Sequence, residues 1–259
     1  MTSSIIITVE SGVALVTLNE PDSRNALSVN MRAELEMQIP LLLGKSEVKA
    51  VVFIGEGEAF CGGGDLRTFI CPQSPSATRA RISRSHGWIR PLLTTEKPVI
   101  TVVNGAAIGA GFGLAMLGDL IFTCSEAYFL PGFSLVGVAA DYGLGLTLPR
   151  AVGEPMAKDI LLTNRRITGE EAGLIRMVSR VMPREKLLME ALSTAERMVQ
   201  GPTISLGLTK TLIARGRECS LDTYLDIEAS AQGIAFNTED FREGVSAFLE
   251  KRKAIFKGR

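Results

Sequence analysis

Two segments of the sequence share the same arrangement, in which a short apolar strand is followed directly by a stretch rich in glycine. Residues 49–54 (KAVVFI) precede GEGEAFCGGGDL, and residues 98–103 (PVITVV) precede NGAAIGAGFGLAMLGD. Continuous apolar runs of this length are typical of parallel strands that are covered on both faces. The repeat predicts an α/β fold in which two glycine loops lie next to each other at the carboxyl ends of neighbouring strands.

Local patterns predict the elements around these two units. IIITVE and VALVTLN read as a hairpin that turns at Ser11 and Gly12, and Ser28 is placed to cap a helix over MRAELEMQIPLLL. Pro40 is expected to bend or end that helix because proline has no N–H to donate. A third strand is predicted at 120–124, and AYFLP leads into a loop that contains Asp141.

The remaining segments are predicted to be a loop and helices. Residues 71–84 contain two prolines and several small polar residues, which is typical of a mobile loop that leads into a helix and covers a site. Residues 149–163 and most of the chain from about 169 onwards have helical patterns. We expect a core at 1–195, which carries the site, and a helical region at 196–259.

Composition excludes several classes of partner and site. The 28 basic residues balance the 28 acidic ones, so charge alone would not attract nucleic acid or an anionic membrane. The four cysteines are widely separated and His86 is the single histidine, which argues against a disulfide scaffold and a metal site. The start MTSSIIITVE is unlike a secretion signal, and no long apolar run suggests a membrane span, so a cytoplasmic location is expected.

The glycine loops do not fit the common nucleotide-binding motifs. Gly109 and Gly111 match the first two glycines of G-x-G-x-x-G, but Leu114 occupies the third glycine position, and no phosphate-binding G-x-x-x-x-G-K-[ST] occurs. The loops could simply be tight turns. Alternatively, each could direct one backbone N–H into a shared crevice, with the start of a helix at GFGLAMLGDL adding partial positive charge, and so form an oxyanion hole.

Three blocks, EAFCGGGDL, KPVITVVNGAAIGAGFGLAMLGDLIF and AYFLPGFSLVGVAADYGLGLTLPRAVG, resemble the crotonase (enoyl-CoA hydratase/isomerase) superfamily. The resemblance extends from NEPDSRNALS to DFREGVSAFLEKRKAIF. It implies a spiral core of ββα units with a C-terminal helical region, and an acyl-coenzyme A substrate without a separate cofactor. It also implies a homotrimer or a homohexamer.

The resemblance further implies roles for individual residues. The backbone N–H groups of Gly64 and Ala110 match the two oxyanion donors of the family. The coenzyme A is expected to contact four residues from the first half of the chain: Arg24, Ala26, Gly62 and Asp65. From the C-terminus, Lys253 and Phe256 are expected to approach the coenzyme A of a neighbouring subunit. Taken alone, Arg24 reads as a solvated charge and Asp65 as the cap of the next helix.

The two glutamates that activate water in classical hydratases correspond to Gly113 and Phe133 here, so water addition lacks its carboxylates. Asp141 stands where isomerases of the phenylacetate-degradation type, which this chain most resembles, carry an acid–base aspartate. Alone it would read as a turn residue. Burial beside Phe133, Leu135 and Tyr142 is expected to raise its pKa.

The leading hypothesis is therefore a double-bond isomerase acting on a 3-enoyl thioester or on a ring-containing one such as epoxyphenylacetyl. A hydratase or hydrolase of the same family and a non-catalytic acyl-CoA-binding protein remain alternatives. The acyl pocket is expected between positions 69 and 92, where His86 and Trp88 are candidates. Structural or surface roles are expected for Asp119 and Glu126.

Overall fold

Across residues 3–70 and 73–259, which the computed structural model describes, the chain forms two sheets and ten α-helices. The strands are β1 (Ile5–Glu10), β2 (Val13–Leu18), β3 (Ala50–Gly55), β4 (Ala59–Cys61), β5 (Val99–Val103), β6 (Ala106–Ile108), β7 (Leu120–Thr123), β8 (Tyr128–Leu130), β9 (Ile167–Thr168) and β10 (Arg180–Val181).

The larger sheet has the strand order β1-β2-β3-β5-β7-β10. The predicted hairpin is confirmed, since β1 and β2 pair antiparallel with Glu10 opposite Val13. The three predicted apolar strands lie side by side and parallel as β3, β5 and β7. All five residues of β5 are buried, as expected for a strand that is covered on both faces.

The smaller sheet has the strand order β4-β6-β8-β9, and its strands show that the glycine loops begin later than predicted. Each glycine loop was expected directly after a long apolar strand, but a short strand comes between the long strand and the loop: β4 follows β3, and β6 follows β5. The chain thus repeats a unit of one long strand, one short strand and a helix. Because β4 and β6 pair in parallel, the two glycine loops that follow them start at the same edge.

The helices are α1 (Val29–Gly44), α2 (Pro75–Thr94), α3 (Ala110–Ala115), α4 (Leu144–Val152), α5 (Glu154–Thr163), α6 (Gly169–Leu174), α7 (Arg184–Val199), α8 (Thr203–Arg215), α9 (Leu221–Ala235) and α10 (Glu239–Leu249). The predicted cap of α1 is confirmed, since Ser28 Oγ accepts the Met31 N–H at 3.1 Å. Pro40 does not end the helix, because α1 continues through it to Gly44, and the expected bend stays a prediction. Burial of Leu35, Ile39 and Leu42 on one face of α1 holds the helix together across the missing hydrogen bond.

The predicted loop at 71–84 is largely wrong. Residues 71 and 72 lie outside the described part of the chain, but α2 already begins at Pro75, after Ser74 accepts the Ala77 N–H. Serine is favourable as a helix cap and proline as the first residue of a helix. The small polar residues and proline that suggested a loop therefore mark the start of α2. The predicted helix at 149–163 is two helices, α4 and α5, separated by Gly153 with φ of +82°.

Helix α7 packs on the larger sheet, where Leu187, Ala191 and Ala195 join the core formed by β3, β5 and β7. Helix α7 ends at Val199, beyond the boundary that was expected at residue 195, so its last turn belongs to a helix that packs on the larger sheet. The division into a core and a C-terminal region stays a prediction. No helix within residues 3–70 and 73–259 is long and apolar enough to cross a membrane.

Candidate active site

The first glycine loop follows β4. Gly63 has φ of +88°, and its carbonyl accepts the Leu27 N–H at 2.7 Å, which ties the loop to the segment before α1. The next N–H, that of Gly64, has no hydrogen-bond acceptor among the described residues. A side chain at Gly64 would meet Phe69 Cε2 at 2.9 Å, so the Phe69 ring lies directly beside this amide.

The second glycine loop follows β6. Gly109 has φ of +55° and donates its N–H to Leu130 O on the neighbouring strand β8, at 2.9 Å. Helix α3 then starts at Ala110, whose N–H is one of the donors that a first helical turn leaves without an intrahelical acceptor. The sequence predicted a longer helix here, but α3 ends at Ala115. Its dipole is correspondingly small, and the local N–H groups themselves are the relevant donors.

The two loops contact each other at Gly63. A Cβ at this position would lie 2.5 Å from Ile108 O and 3.7 Å from Ala110 N. No side chain fits in that space, and the positive φ independently favours glycine. The Ala110 amide therefore lies beside the peptide that leads to Gly64, so the two predicted oxyanion donors are close neighbours at one edge of the smaller sheet.

The segment that carries Asp141 packs against the middle of α3. A Cβ at Gly113 would meet Tyr142 Cβ at 2.5 Å and Asp141 O at 3.1 Å, so helix α3 packs directly against the Asp141–Tyr142 backbone. Tyr142 itself has φ of +51°, a left-handed conformation that is unusual for an aromatic residue. Within the described residues, Asp141 Oδ1 is buried and has no hydrogen-bond partner.

Burial raises the pKa of Asp141 to about 6, while the charge of Arg81 opposes that shift. The predicted rise of the Asp141 pKa is confirmed, but the prediction that three apolar residues bury this side chain is only partly right. Phe133 and Tyr142 are buried, whereas Leu135 is 70% exposed. Leu135 turns outward because residues 134–136 form a short 3₁₀ turn at the surface. Carboxylates with raised pKa values in partly buried sites are candidates for acid–base work.

One face of α2 is directed at Asp141 and Tyr142. Ser85 Oγ lies 3.5 Å from the Tyr142 hydroxyl, and the Trp88 ring packs edge-on against the Tyr142 ring at 5.7 Å. Four residues before Ser85, the Arg81 guanidinium stacks on Phe69 with 4.2 Å between its carbon and the ring centroid. Contacts thus lead from Gly64 through Phe69 to Arg81, whose charge acts on the pKa of Asp141.

Sequence reasoning missed three residues of this cluster. It expected the acyl pocket between 69 and 92 but singled out His86 and Trp88 there. His86 is exposed, and Trp88 is buried in the core. The cluster instead contains Phe69 and two arginines, since Arg32 of α1 also lies over the Phe69 ring, at 5.3 Å. No local signal distinguishes these arginines, because their proximity depends on how α1 packs against α2.

The residues expected to contact coenzyme A at the start of the chain are held against the first glycine loop. Arg24 O accepts the Gly62 N–H at 2.8 Å, and Ala26 precedes the Leu27 amide that bonds to Gly63. The buried amide of Asn25, which sequence reasoning also missed, donates to Glu56 O and Ala59 O at 2.9 and 2.8 Å. The Arg24 side chain is exposed beside this loop.

Other sequence-predicted residues have clear local contacts. Asp65 accepts the Arg67 N–H and pairs with the Arg67 guanidinium at 2.9 Å, as expected for a cap. Asp119 accepts the Val99 N–H and pairs with Lys210, in agreement with its expected structural role. Lys253 is exposed and Phe256 packs near Gly244. Their contact with coenzyme A stays a prediction.

The described residues contain no group of three histidine, cysteine, aspartate or glutamate side chains that could hold a metal ion. A separate cleft of about 400 Å³ lies on the far side of α3, where Met116, Asp119, Arg150 and Arg176 are among its lining residues. None of the predicted site residues lines that cleft.

The fold and the site together define a class: ββα units in which two glycine loops lie against each other and the helix after the second loop packs against the segment that carries Asp141. The enoyl-CoA hydratase/isomerase family profile matches residues 8–259, and the chain belongs to this family. The chain is 34% identical, over the full length of both proteins, to 1,2-epoxyphenylacetyl-CoA isomerase of Escherichia coli.

The relatives do not share one activity. The chain is 35% identical to a short-chain-enoyl-CoA hydratase of Clostridium acetobutylicum, with 97% of this chain and 96% of that protein covered. Its fold matches that of an enoyl-CoA hydratase from Bacillus anthracis with a TM-score of 0.93 at 28% identity, covering 99% of this chain and all of the other. An enoyl-CoA hydratase from Polaromonas sp. JS666 gives a TM-score of 0.91 at 30% identity, with 98% and 99% covered.

Proposed function

We propose that this protein is an enoyl-CoA isomerase that moves a carbon–carbon double bond relative to the thioester carbonyl. The observation that carries the proposal is the carboxylate of Asp141, whose buried Oδ1 has no partner within residues 3–70 and 73–259 and whose backbone packs against the helix that starts at Ala110. The second oxygen, Oδ2, also has no partner there but is accessible, so the carboxylate is available to a substrate proton. Its pKa of about 6 suits proton removal near neutral pH.

The proposed reaction needs one carboxylate and two amides. Asp141 removes a proton from the carbon alpha to the carbonyl of a 3-enoyl thioester, and the electron pair forms a dienolate. The N–H groups of Gly64 and Ala110 stabilise the negative oxygen. The protonated Asp141 then returns the proton to the gamma carbon, and the double bond becomes conjugated with the carbonyl. Each aligned amide contributes about 2.7–4 kcal/mol in comparable oxyanion holes.

Isomerisation is favoured over hydration because water addition needs further acid–base groups. The positions of the two hydratase glutamates hold Gly113 and the buried Phe133. A side chain at Gly113 would collide with Tyr142 Cβ, so the packing around α3 is built for a residue without a side chain. With those carboxylates absent, Asp141, whose backbone packs against α3, is the acid–base candidate that remains.

A 3-enoyl-CoA in D₂O tests the proposal. The wild-type protein should produce the conjugated 2-enoyl thioester and introduce deuterium at the substrate carbons. Asp141→Asn should retain acyl-CoA binding and lose both reactions, because an amide cannot accept the proton. The Asp222→Asn variant, which changes an exposed carboxylate on α9, is the matched control and should keep the reaction. Retained exchange in Asp141→Asn would overturn the assignment.

Hydration is the second candidate, favoured by the relatives that are named hydratases. Crotonyl-CoA distinguishes the two activities, since a hydratase must bleach the absorbance of its conjugated double bond. We expect little or no bleaching. Rapid bleaching that is lost in Asp141→Asn would instead assign this carboxylate to water activation.

We infer that the coenzyme A of the substrate lies along the first glycine loop, where Arg24, Ala26 and Gly62 are held together. The exposed guanidinium of Arg24 is positioned to pair with a phosphate at the loop. The Arg24→Met variant should weaken the binding of free coenzyme A, measured by calorimetry, more than it weakens the binding of the dephosphorylated pantetheine part.

A further inference from the structure

The arginines around Phe69 lack the carboxylate partners that half-buried arginines normally have. Arg81 and Arg32 stack on the Phe69 ring at 4.2 and 5.3 Å. Neither forms an ion pair within 4.0 Å in the part of the chain that the structure describes. Arg84, by contrast, which is one turn further along α2, pairs with Glu36 at 3.8 Å.

Arg81 also has a buried donor without an acceptor. Its Nε atom is inaccessible to solvent and has no hydrogen-bond partner among the described residues. Leaving a buried N–H donor of a charged group unpaired is unfavourable. The other guanidinium nitrogens, Nη1 and Nη2, also have no partner among the described residues but are accessible, so a ligand can reach them. Asp141 does not pair with Arg81 in this structure, since its own Oδ1 is also unpaired.

The position of Arg81 relates this donor to the acyl group of the substrate. The Phe69 ring lies next to Gly64, since an added Cβ there would be 2.9 Å from Phe69 Cε2, and the Arg81 guanidinium stacks on the same ring at 4.2 Å. The width of about one aromatic ring therefore separates Arg81 from the proposed position of the thioester oxygen. An acyl chain of a few carbons, which extends from the thioester carbonyl carbon, is long enough to cross that width and bring its end to the guanidinium.

We propose that the acyl group of the substrate ends in a carboxylate, which pairs with Arg81 while Arg32 adds a second positive charge. The substrate class is the mono-coenzyme A thioester of a short dicarboxylic acid. This inference rests on the proposed acyl-CoA site but does not depend on the proposed isomerisation. The planar guanidinium suits a carboxylate because its N–H groups can bind both oxygens.

Binding of three saturated thioesters tests the proposal without any reaction. Glutaryl-CoA carries the terminal carboxylate, its methyl ester keeps the oxygen acceptors without the charge, and pentanoyl-CoA has neither. We expect wild-type protein to bind glutaryl-CoA about tenfold or more tightly than either neutral thioester, by calorimetry. Equal affinity for all three, or equal affinity for the acid and its ester, would overturn the proposal.

Two variants of helix α2 then test whether Arg81 causes the preference for the charged thioester. Arg81→Met should reduce the ratio of the two affinities, glutaryl-CoA over pentanoyl-CoA, to about one. Arg79→Met removes the same charge from an exposed position of α2 and should leave the ratio unchanged. A ratio that survives in Arg81→Met would contradict the proposal. Because these are binding ratios, loss of the proposed isomerase activity would not affect them, and the two proposals fail separately.

Discussion

Asp141 is buried where its ionised form is unfavourable, so its protonation state should control the reaction. Burial raises its pKa from 3.8 to about 6, and the Arg81 charge limits that rise. A base must be deprotonated to act, which means that kcat/KM should rise with pH, reach half of its maximum near pH 6 and stay constant above pH 7.

The measurement is kcat/KM for a 3-enoyl-CoA between pH 4.5 and 8, with thermal stability followed in parallel to exclude unfolding. Half-maximal activity near pH 4 would mean that the carboxylate titrates as if exposed. A rate that falls as pH rises through 6 would require Asp141 to act first as an acid, contrary to the proposed order of proton transfers.

Gly113 illustrates how a missing side chain can be required by packing. A Cβ there would lie 2.5 Å from Tyr142 Cβ, a residue that is 4% exposed and cannot move outward freely. We expect Gly113→Ala to lower the free energy of unfolding by about 1–3 kcal/mol, as overpacking does elsewhere. Gly87→Ala is the control, since nothing lies within 4 Å of its added methyl group.

Helix propensity favours alanine over glycine at both positions, so only the collision distinguishes the two variants. Urea unfolding should give a destabilised Gly113→Ala and a Gly87→Ala of equal or greater stability than wild type. Equal effects of both substitutions would show that Tyr142 accommodates a side chain, and the packing argument against a glutamate at 113 would fail.

At the scale of elements, the site depends on contact between the loops after β4 and β6. Gly63 lies at that contact, because a Cβ there would be 2.5 Å from Ile108 O. Gly63→Ala should separate the Gly64 and Ala110 amides and reduce kcat by about 100-fold or more, the effect of losing one oxyanion donor elsewhere.

Gly57→Ala provides the matched control for Gly63→Ala. Gly57 also has a positive φ, +73°, but it lies between β3 and β4 and away from the two amides. Both variants carry the backbone strain of a left-handed alanine, so both should lose some stability. Steady-state kinetics should show the large loss of kcat in Gly63→Ala alone, and equal losses would contradict the assigned contact.

The sequence predicted best what depends on local pattern. The apolar strands, the Ser28 cap and the two glycine loops all follow from periodicity and backbone preference, and the structure has them. The continuation of α1 through Pro40 and the early start of α2 depend on packing that a local pattern does not encode. The same applies to the arginines, since Arg32 and Arg81 are about fifty residues apart and meet only because α1 packs against α2.

At the scale of the whole molecule, the C-terminal helices expose large apolar side chains. Phe248 is 82% exposed and Leu249 73%, and Leu221 and Ile255 are exposed to a similar extent. Clusters of this kind often mark interfaces between subunits. We expect the protein to form trimers or hexamers of its 27.8 kDa chain.

Size-exclusion chromatography with light scattering measures the assembled mass directly. Wild-type protein should have three or six times the chain mass, and Phe248→Asp should shift the mass toward that of one chain because it places a charge in an apolar interface. Lys186→Asp, on the exposed side of α7, should leave the mass unchanged. A monomeric wild-type protein would contradict the expectation.

The proposed chemistry requires that the backbone N–H groups of Gly64 and Ala110 both donate to the thioester oxygen of a bound acyl-CoA. Infrared spectroscopy of a saturated acyl-CoA with ¹³C at the thioester carbonyl measures these hydrogen bonds without depending on turnover. We expect the carbonyl band to move to lower frequency when the thioester binds wild-type protein, and the shift to become smaller in Gly63→Ala. A bound thioester whose carbonyl band stays at its frequency in water would show that the two amides do not hold the oxygen.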